Sequence, residues 1–250
     1  HRWGCREREM VLRECGGVCG TSTIDYVDFG SKSDAADFGD TATTTGNQRG
    51  GGCGNNTRGL FAGTFSATSD VIEYVTMANL GNGTDFGNLS VGRGRLGALS
   101  SSTRGVFTGG SVNASLSNVM DYVTIGTTGN ASDFGNLSVA RSFTANAASA
   151  TRGLTMGGFP DPLTDVIDYI TIANTGNASD FGDLTAARAS GAGTSNATRA
   201  IIGGGDEGSG VVTIEYVTIG TTGDATDFGD LTVAKRWGDA VGSATAAGAA

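Results

Sequence analysis

An acid–tyrosine pair recurs five times in this 250-residue chain: Asp25-Tyr26, Glu73-Tyr74, Asp121-Tyr122, Asp168-Tyr169 and Glu215-Tyr216. The tyrosines are 48, 48, 47 and 47 residues apart. An Asp-Phe-Gly triplet keeps the same step, starting at Asp37, Asp85, Asp133, Asp180 and Asp227. Thr-Arg opens four copies, at Thr57, Thr103, Thr151 and Thr198, and a small-residue pair follows: Ala62-Gly63, Gly109-Gly110, Gly157-Gly158 and Gly203-Gly204. A period of this length means a stacked or radial repeat fold, because one such unit cannot bury its own apolar faces.

Each copy reads as four short strands. In the copy from Arg141, residues 141–150 are mostly small, Gly153–Met156 forms the second strand, and Val166–Ile172 is rich in β-branched residues. Asp183-Leu184-Thr185 then follows a turn built on Asn177, Asp180 and Gly182. Strand formers between Gly, Asn and Asp clusters carry this signal, and no segment sustains a helical apolar period. The predicted fold is all-β: a five-bladed β-propeller of ~47-residue four-stranded blades. The copies run approximately over residues 10–56, 57–102, 103–150, 151–197 and 198–250, in one domain. The segments 96–102, 142–150 and 189–197 hold small side chains, as the crowded strand beside a propeller axis requires. Val166–Ile172 is apolar on both alternating faces, which fits a sheet sandwiched between two others. The small-residue segment 237–247 is expected to complete the first blade. Arg2-Trp3-Gly4 echoes Arg236-Trp237-Gly238, however, so the N-terminus is an alternative source of that strand, leaving the C-terminal one to pair with another chain.

The inventory bears on function. Gly is 43 residues and Pro only 2, a turn-dense β composition rather than a Pro-rich disordered one. A formal charge of −9 with dispersed arginines argues against a nucleic-acid surface. No apolar run reaches the ~18 residues of a membrane-spanning helix, so no membrane insertion is expected. The only histidine is His1, which leaves no Ser-His-Asp triad, Cys-His pair or multi-histidine metal site. Prominent carboxylates recur in every copy, whereas a catalytic pair occurs once, so the expectation is a non-enzyme without cofactor or metal. The Asp-Phe-Gly triplets lack every companion of the kinase motif. Cys5, Cys15, Cys19 and Cys53 fall in the first quarter without paired C-x-x-C spacing, which argues against zinc and leaves disulfide pairing open. The chain opens on His1 rather than Met, as a processed or partial chain would.

Three recurring groups have structural readings. The turn from Asn82, Asn130, Asn177 or Asp224 through Asp-Phe-Gly offers oxygens that could hold calcium, but the same residues build turns, and that reading is favoured. Phe86, Phe134, Phe181 and Phe228 would then plug the gaps between blades, with Tyr74, Tyr122, Tyr169 and Tyr216 on the neighbouring strand. Arg58, Arg104, Arg152 and Arg199 lie one strand before an acid and are expected to pair with Glu73, Asp121, Asp168 and Glu215. Asn-x-Ser/Thr sequons, such as Asn82, Asn113, Asn130 and Asn177, mostly arise from the repeated turn.

The order of small strand, Gly-Gly, variable loop and acid-Tyr resembles kelch-type propeller repeats, carried by Gly109-Gly110 and Asp121-Tyr122 and their equivalents. The kelch Trp after the Tyr is missing. The wording from Thr103 to Phe107, and from Asp121 to Leu137, resembles repeats of virion structural proteins of aquatic phages and other viruses, over residues 20–240. That resemblance implies a particle-associated role, as tail fibre or capsid decoration, with other virion proteins or host-surface glycans as partners. The segments 65–70, 111–118, 159–165 and 206–212 differ most between copies, and contacts are expected there, with Phe159, Pro160 and Asp161 as the first binding candidates. Two other roles are a soluble, extracellular multivalent lectin and a fibre-forming module that makes homo-oligomers through its terminal strands. Sugar sites want exposed aromatic rings, and the recurring ones read as buried.

Overall fold

The computed structural model describes residues 8–12, 22–28, 34–42, 50–64, 68–160 and 162–237. Among these no residue is helical, and no helix is present that could cross a membrane. The strands form five successive antiparallel sheets. The first holds β1 (Arg8–Leu12), β2 (Thr23–Asp28) and β3 (Ala36–Asp40). The second holds β4 (Gly51–Gly54), β5 (Arg58–Ala62), β6 (Ser69–Thr76) and β7 (Thr84–Arg93). The third holds β8 (Gly97–Ser100), β9 (Arg104–Thr108), β12 (Val119–Thr124) and β13 (Ser132–Asn136), with a small hairpin of β10 (Ser111–Val112) and β11 (Ser115–Leu116) in its loop. The fourth is β14 (Ala145–Ala148), β15 (Arg152–Met156), β16 (Val166–Thr171) and β17 (Ser179–Asp183). The fifth is β18 (Ala192–Ser195), β19 (Arg199–Gly203), β20 (Val211–Thr218) and β21 (Thr226–Lys235). This is a propeller-like all-β fold.

The core lies between sheets. Leu60, Ile72 and Phe86 of the second sheet pack with Phe107, Val123 and Ile125 of the third. Leu99, Met120 and Phe134 pack with Ile170 and Ile172, and Leu154, Ile167 and Phe181 with Ile202, Val217 and Ile219. Ile167 thus serves one interface and Ile170 the other, as expected for a strand apolar on both faces. The small inner strands β4, β8, β14 and β18 neighbour one another in order. They approach closely enough for Ser100 Oγ to donate to Gly54 O at 2.8 Å and Ser195 Oγ to Ala148 O at 2.7 Å.

Two expectations about local structure are corrected. Asp-Phe-Gly is not a turn but the fourth strand itself, in β3, β7, β13, β17 and β21. Asn, Asp and Gly, which usually mark turns, point to a strand at 183–185, whereas β17 runs over Ser179–Asp183. A register shift at the acid (Met120/Asp121, Ile167/Asp168) lets the triplet stay in the ladder. Its glycine is needed because Gly135 has φ 136° and an added Cβ would lie 2.4 Å from Gly176 O of the next sheet. The small-residue pair of the last copy is Gly204-Gly205, one residue later than read, since Gly203 still pairs with Ile214 in the ladder.

The pairing of Arg58, Arg104, Arg152 and Arg199 with the acids is also overturned. Each arginine opens its strand, so Arg104 sits opposite Thr124, while Asp121 sits opposite Phe107. The guanidinium carbons instead lie 4.6, 4.3, 4.5 and 4.6 Å over the rings of Tyr74, Tyr122, Tyr169 and Tyr216. Arg58, Arg104 and Arg152 donate onward to the carbonyls of Ile125, Ile172 and Ile219 in the following sheet.

The buried acids belong to arginines that the sequence reading passed over. Arg93 Nη2 meets Asp121 Oδ2 at 2.6 Å, Arg141 meets Asp168 at 2.9 Å and Arg188 meets Glu215 at 2.8 Å, all essentially inaccessible to water. Each ends one sheet and reaches into the next. Burial pulls the Arg93 and Arg141 guanidinium groups down from their usual range, and the facing aspartates oppose that shift. Lys235, the last residue of β21, holds the same step from Asp-Phe-Gly in the fifth sheet.

Each tyrosine meets the phenylalanine of its own sheet edge-on, with centroids 5.8 to 6.0 Å apart. Phe86, Phe134 and Phe181 are 2% exposed and fill the gaps between sheets, whereas Phe228 is 52% exposed. Over Phe86 and Phe134 lies the following sheet, but an added Cβ at Gly229 would meet nothing within 4 Å. The proposed clasp lies, past Trp237, outside the described residues, as do Cys5, Cys15 and Cys19.

Candidate functional site

The strand directions collect two kinds of connection at one end of the array. The loops between second and third strands are there, and so are the links from each fourth strand to the next inner strand. The Gly-Gly pairs shape this end. Gly109 and Gly157 have φ 59° and 57°, and an added Cβ would lie 2.5 Å from Arg141 O and 2.4 Å from Arg188 O. The next amides close the joint, with Gly110 N donating to Arg141 O and Gly158 N to Arg188 O, both at 2.8 Å. One arginine therefore holds its own sheet's loop by its carbonyl and the next sheet's acid by its side chain.

Three of the variable loops, 111–118, 159–165 and 206–212, are each pinned to a link by a two-bond bridge. Ser111 N and Gly94 N exchange bonds with the other's carbonyl at 2.8 Å, Phe159 and Ser142 do so at 2.8 and 3.0 Å, and Asp206 and Ala189 at 2.8 and 3.1 Å. The last loop is further held by Arg236 on Asp206 at 2.9 Å. Rigid bases thus carry tips that differ from copy to copy. Of the binding candidates, Phe159 is 42% exposed at such a tip and Pro160 beside it is half-buried, while Asp161 lies outside the described residues. Of the variable segments, 111–118 forms the β10–β11 hairpin and 65–67 are not described.

The links bring together residues that sequence reasoning missed. Arg95, Phe143, Ser190 and Trp237 stand two residues beyond Arg93, Arg141, Arg188 and Lys235, with φ of 56°, 55°, 57° and 57°. Their backbones form a chain: Arg95 N donates to Thr64 O at 3.0 Å, Phe143 N to Arg95 O at 3.2 Å and Ser190 N to Phe143 O at 2.8 Å. The Arg95 guanidinium carbon lies 5.2 Å over the Phe143 ring, and Phe143 meets Trp237 with centroids 5.3 Å apart. The signal that could have revealed them is the basic residue repeated at a step of 48, 47 and 47, followed two positions later by four unlike residues.

The side-chain oxygens of the repeated turn are occupied by backbone amides rather than left open to calcium. Asn82, Asn130, Asn177 and Asp224 accept from Asp40 N, Asn88 N, Asn136 N and Asp183 N of the preceding sheet at 3.0–3.1 Å. Among the described residues no group of three or more His, Cys, Asp or Glu side chains could hold a metal ion. Asp183 has its carboxyl raised above the ordinary range, first by partial desolvation and then by Asp165, Asp224 and Asp180 nearby. Cys53 is a free thiol, and burial pushes it up to about 12 against a lowering backbone hydrogen bond at Val106.

No protein-family model and no curated protein sequence matches this chain. Among solved structures, YjhT superposes with a TM-score of 0.75 over 94% of this chain and 84% of its own, at 9% identity. At that identity the likeness speaks for the propeller-like fold alone.

Proposed function

We propose that the chain is a five-bladed, non-enzymatic propeller displayed on a virus particle, as tail fibre or capsid decoration, that binds a host surface or a neighbouring virion protein. The observation that carries the binding role is the loop-bearing end. There, unlike tips stand on bases locked to the links, while the rest of each sheet repeats. The particle setting rests on the resemblance of the repeat's wording to virion proteins, and the kelch relationship on the Gly-Gly and acid-Tyr spacing. Mass spectrometry of gradient-purified particles tests it: stoichiometric peptides of this repeat are expected, and their confinement to the soluble fraction would turn the reading to the free lectin.

One observation favours a second reading, the fibre-forming module. Phe228 and Val233 leave an apolar face on the fifth sheet 52% and 60% exposed, where the Phe of each earlier sheet is covered. A face that matches the opposite end of the same molecule makes a heterologous contact, which closes a ring or extends a fibre. Molar mass measured over a range of concentrations separates the two.

A further inference from the structure

We infer that copies of this chain join end to end, the fifth sheet of one taking the first sheet of the next as its follower, with Phe228 as the plug of the joint. The inference deepens the second reading above, the fibre-forming module, and rests on it.

The template is the joint that the chain already makes between its own sheets. There the phenylalanine of one sheet clusters with apolar residues of the next: Phe86 with Val123 and Ala131, Phe134 with Ile170 and Ala178, Phe181 with Val217 and Ala225. A turn oxygen of the following sheet, on Asn82, Asn130, Asn177 or Asp224, accepts from the amide two residues past the phenylalanine. In the fifth sheet that amide belongs to Asp230, and in the first sheet the turn residue is Asp34.

Both outer faces of the array keep these parts, and both are open. On the fifth sheet Phe228 is 52% exposed, and Arg199 and Lys235 are exposed where Arg152 is half-buried and Arg188 buried. On the first sheet Val27 is half-buried, whereas Val75, Val123, Ile170 and Val217 at its register are 2–5% exposed. Asp34 and Ala35, at the register of Asp224 and Ala225, are exposed. Repeat arrays ordinarily end in caps with a polar outer face, but these two ends keep the interior pattern. The first sheet of the same chain does not fill the place: an added Cβ at Gly229 would meet nothing within 4 Å, whereas at Gly87, Gly135 and Gly182 it would meet the next sheet at 2.4–2.5 Å. Charge agrees, with Arg199 and Lys235 on one face and Asp34 on the other, and with Asp25 at the register of the acids that Arg93, Arg141 and Arg188 reach. Opposite charges across a joint steer its halves together and fix their register. The two faces differ, so the contact is heterologous, and each added copy presents a new Phe228 to the next.

The test uses the full chain and two variants at exposed positions, Phe228→Asp on the fifth sheet and Ala35→Arg on the first, with circular dichroism to check that both fold. Lys235→Glu and Asp34→Arg replace either one that misfolds. Molar mass is read by sedimentation between about 1 and 100 μM, the range of weak self-association. Wild type is expected to grow past the dimer as concentration rises, and each variant alone to stay monomeric. Mixed in equal amounts, the two variants should form a one-to-one dimer and stop there, because each retains only one of the two faces. Asp34→Ala, which removes a charged acceptor from the joint, should weaken wild-type association by about tenfold or more. Association that Ala35→Arg leaves unchanged, or mixed variants that stay apart, overturns the first sheet as the occupant while the assembly reading stands. A wild type that is monomeric throughout overturns both, and leaves the face to the chain's own first sheet or to a different protein.

Discussion

Replacing Asp168 by Asn should separate the fourth sheet from the third. The carboxylate and Arg141 are 2.9 Å apart and essentially inaccessible to water, so the change keeps shape and strands a buried guanidinium. Removing one partner of such a pair costs about 3–5 kcal/mol. For a domain of this size each kcal/mol moves Tm by about 2–4 °C, so a drop of about 6–20 °C is expected. Arg104→Met is the control. It loses one stack on Tyr122 and one bond to Ile172 O, about 1–3 kcal/mol together. The double replacement of Arg141 by Met and Asp168 by Leu should fall between wild type and Asp168→Asn. It leaves no buried charge, although Thr155 O and Val166 O lose a donor. Because the lost pair joins neighbours in a nearly one-dimensional array, the unfolding transition should also broaden or split. Calorimetry and urea titration followed by circular dichroism read all of this. A Tm loss under about 2 °C for Asp168→Asn, or a double variant worse than the sum of the singles, would refute the argument.

Three further outcomes follow from the same geometry. Phe181→Ala should cost about 3–5 kcal/mol by urea titration and Phe228→Ala under about 1, because only the first ring is covered by a following sheet. Asp183→Asn should raise Tm at neutral pH. The folded carboxyl is raised above its unfolded value, so charge on Asp183 opposes folding as pH climbs through the carboxylate range, and the gain should vanish below about pH 3, where both states are protonated. Cys53, with its thiol at about 12, should resist iodoacetamide at pH 8 in the native protein and react on unfolding, as the mass of its tryptic peptide will show.

Much of the architecture was legible because the repeat states it five times. Two-residue alternation with apolar residues on both faces of segments such as Val166–Ile172 announces a sheet packed between others, and small residues in 142–150 announce an inner strand. The errors share one cause. Asp, Asn and Gly in the fourth strand were read by their turn preference, whereas a register shift at Asp121 or Asp168 and close approach of the next sheet require them in the ladder. Arg104 was matched to an acid by strand adjacency, but adjacency does not fix register, and Arg104 lies opposite Thr124. Of the candidate site, the loop tips around Phe159 were readable from their variation. The link residues were not, because Arg95, Phe143 and Trp237 are 48 and 94 residues apart and nothing local connects them.

The chain by itself determined the unit and its five repeats, the four strands of the second to fifth sheets and the placing of small side chains on the inner strand, since these follow from spacing and side-chain size. Tertiary structure alone decided which charges meet, with Arg93, Arg141 and Arg188 reaching forward to Asp121, Asp168 and Glu215. It also decided that four unlike residues of successive links share one place. Both depend on how one sheet sits against the next, and no pattern within a single repeat records that relation.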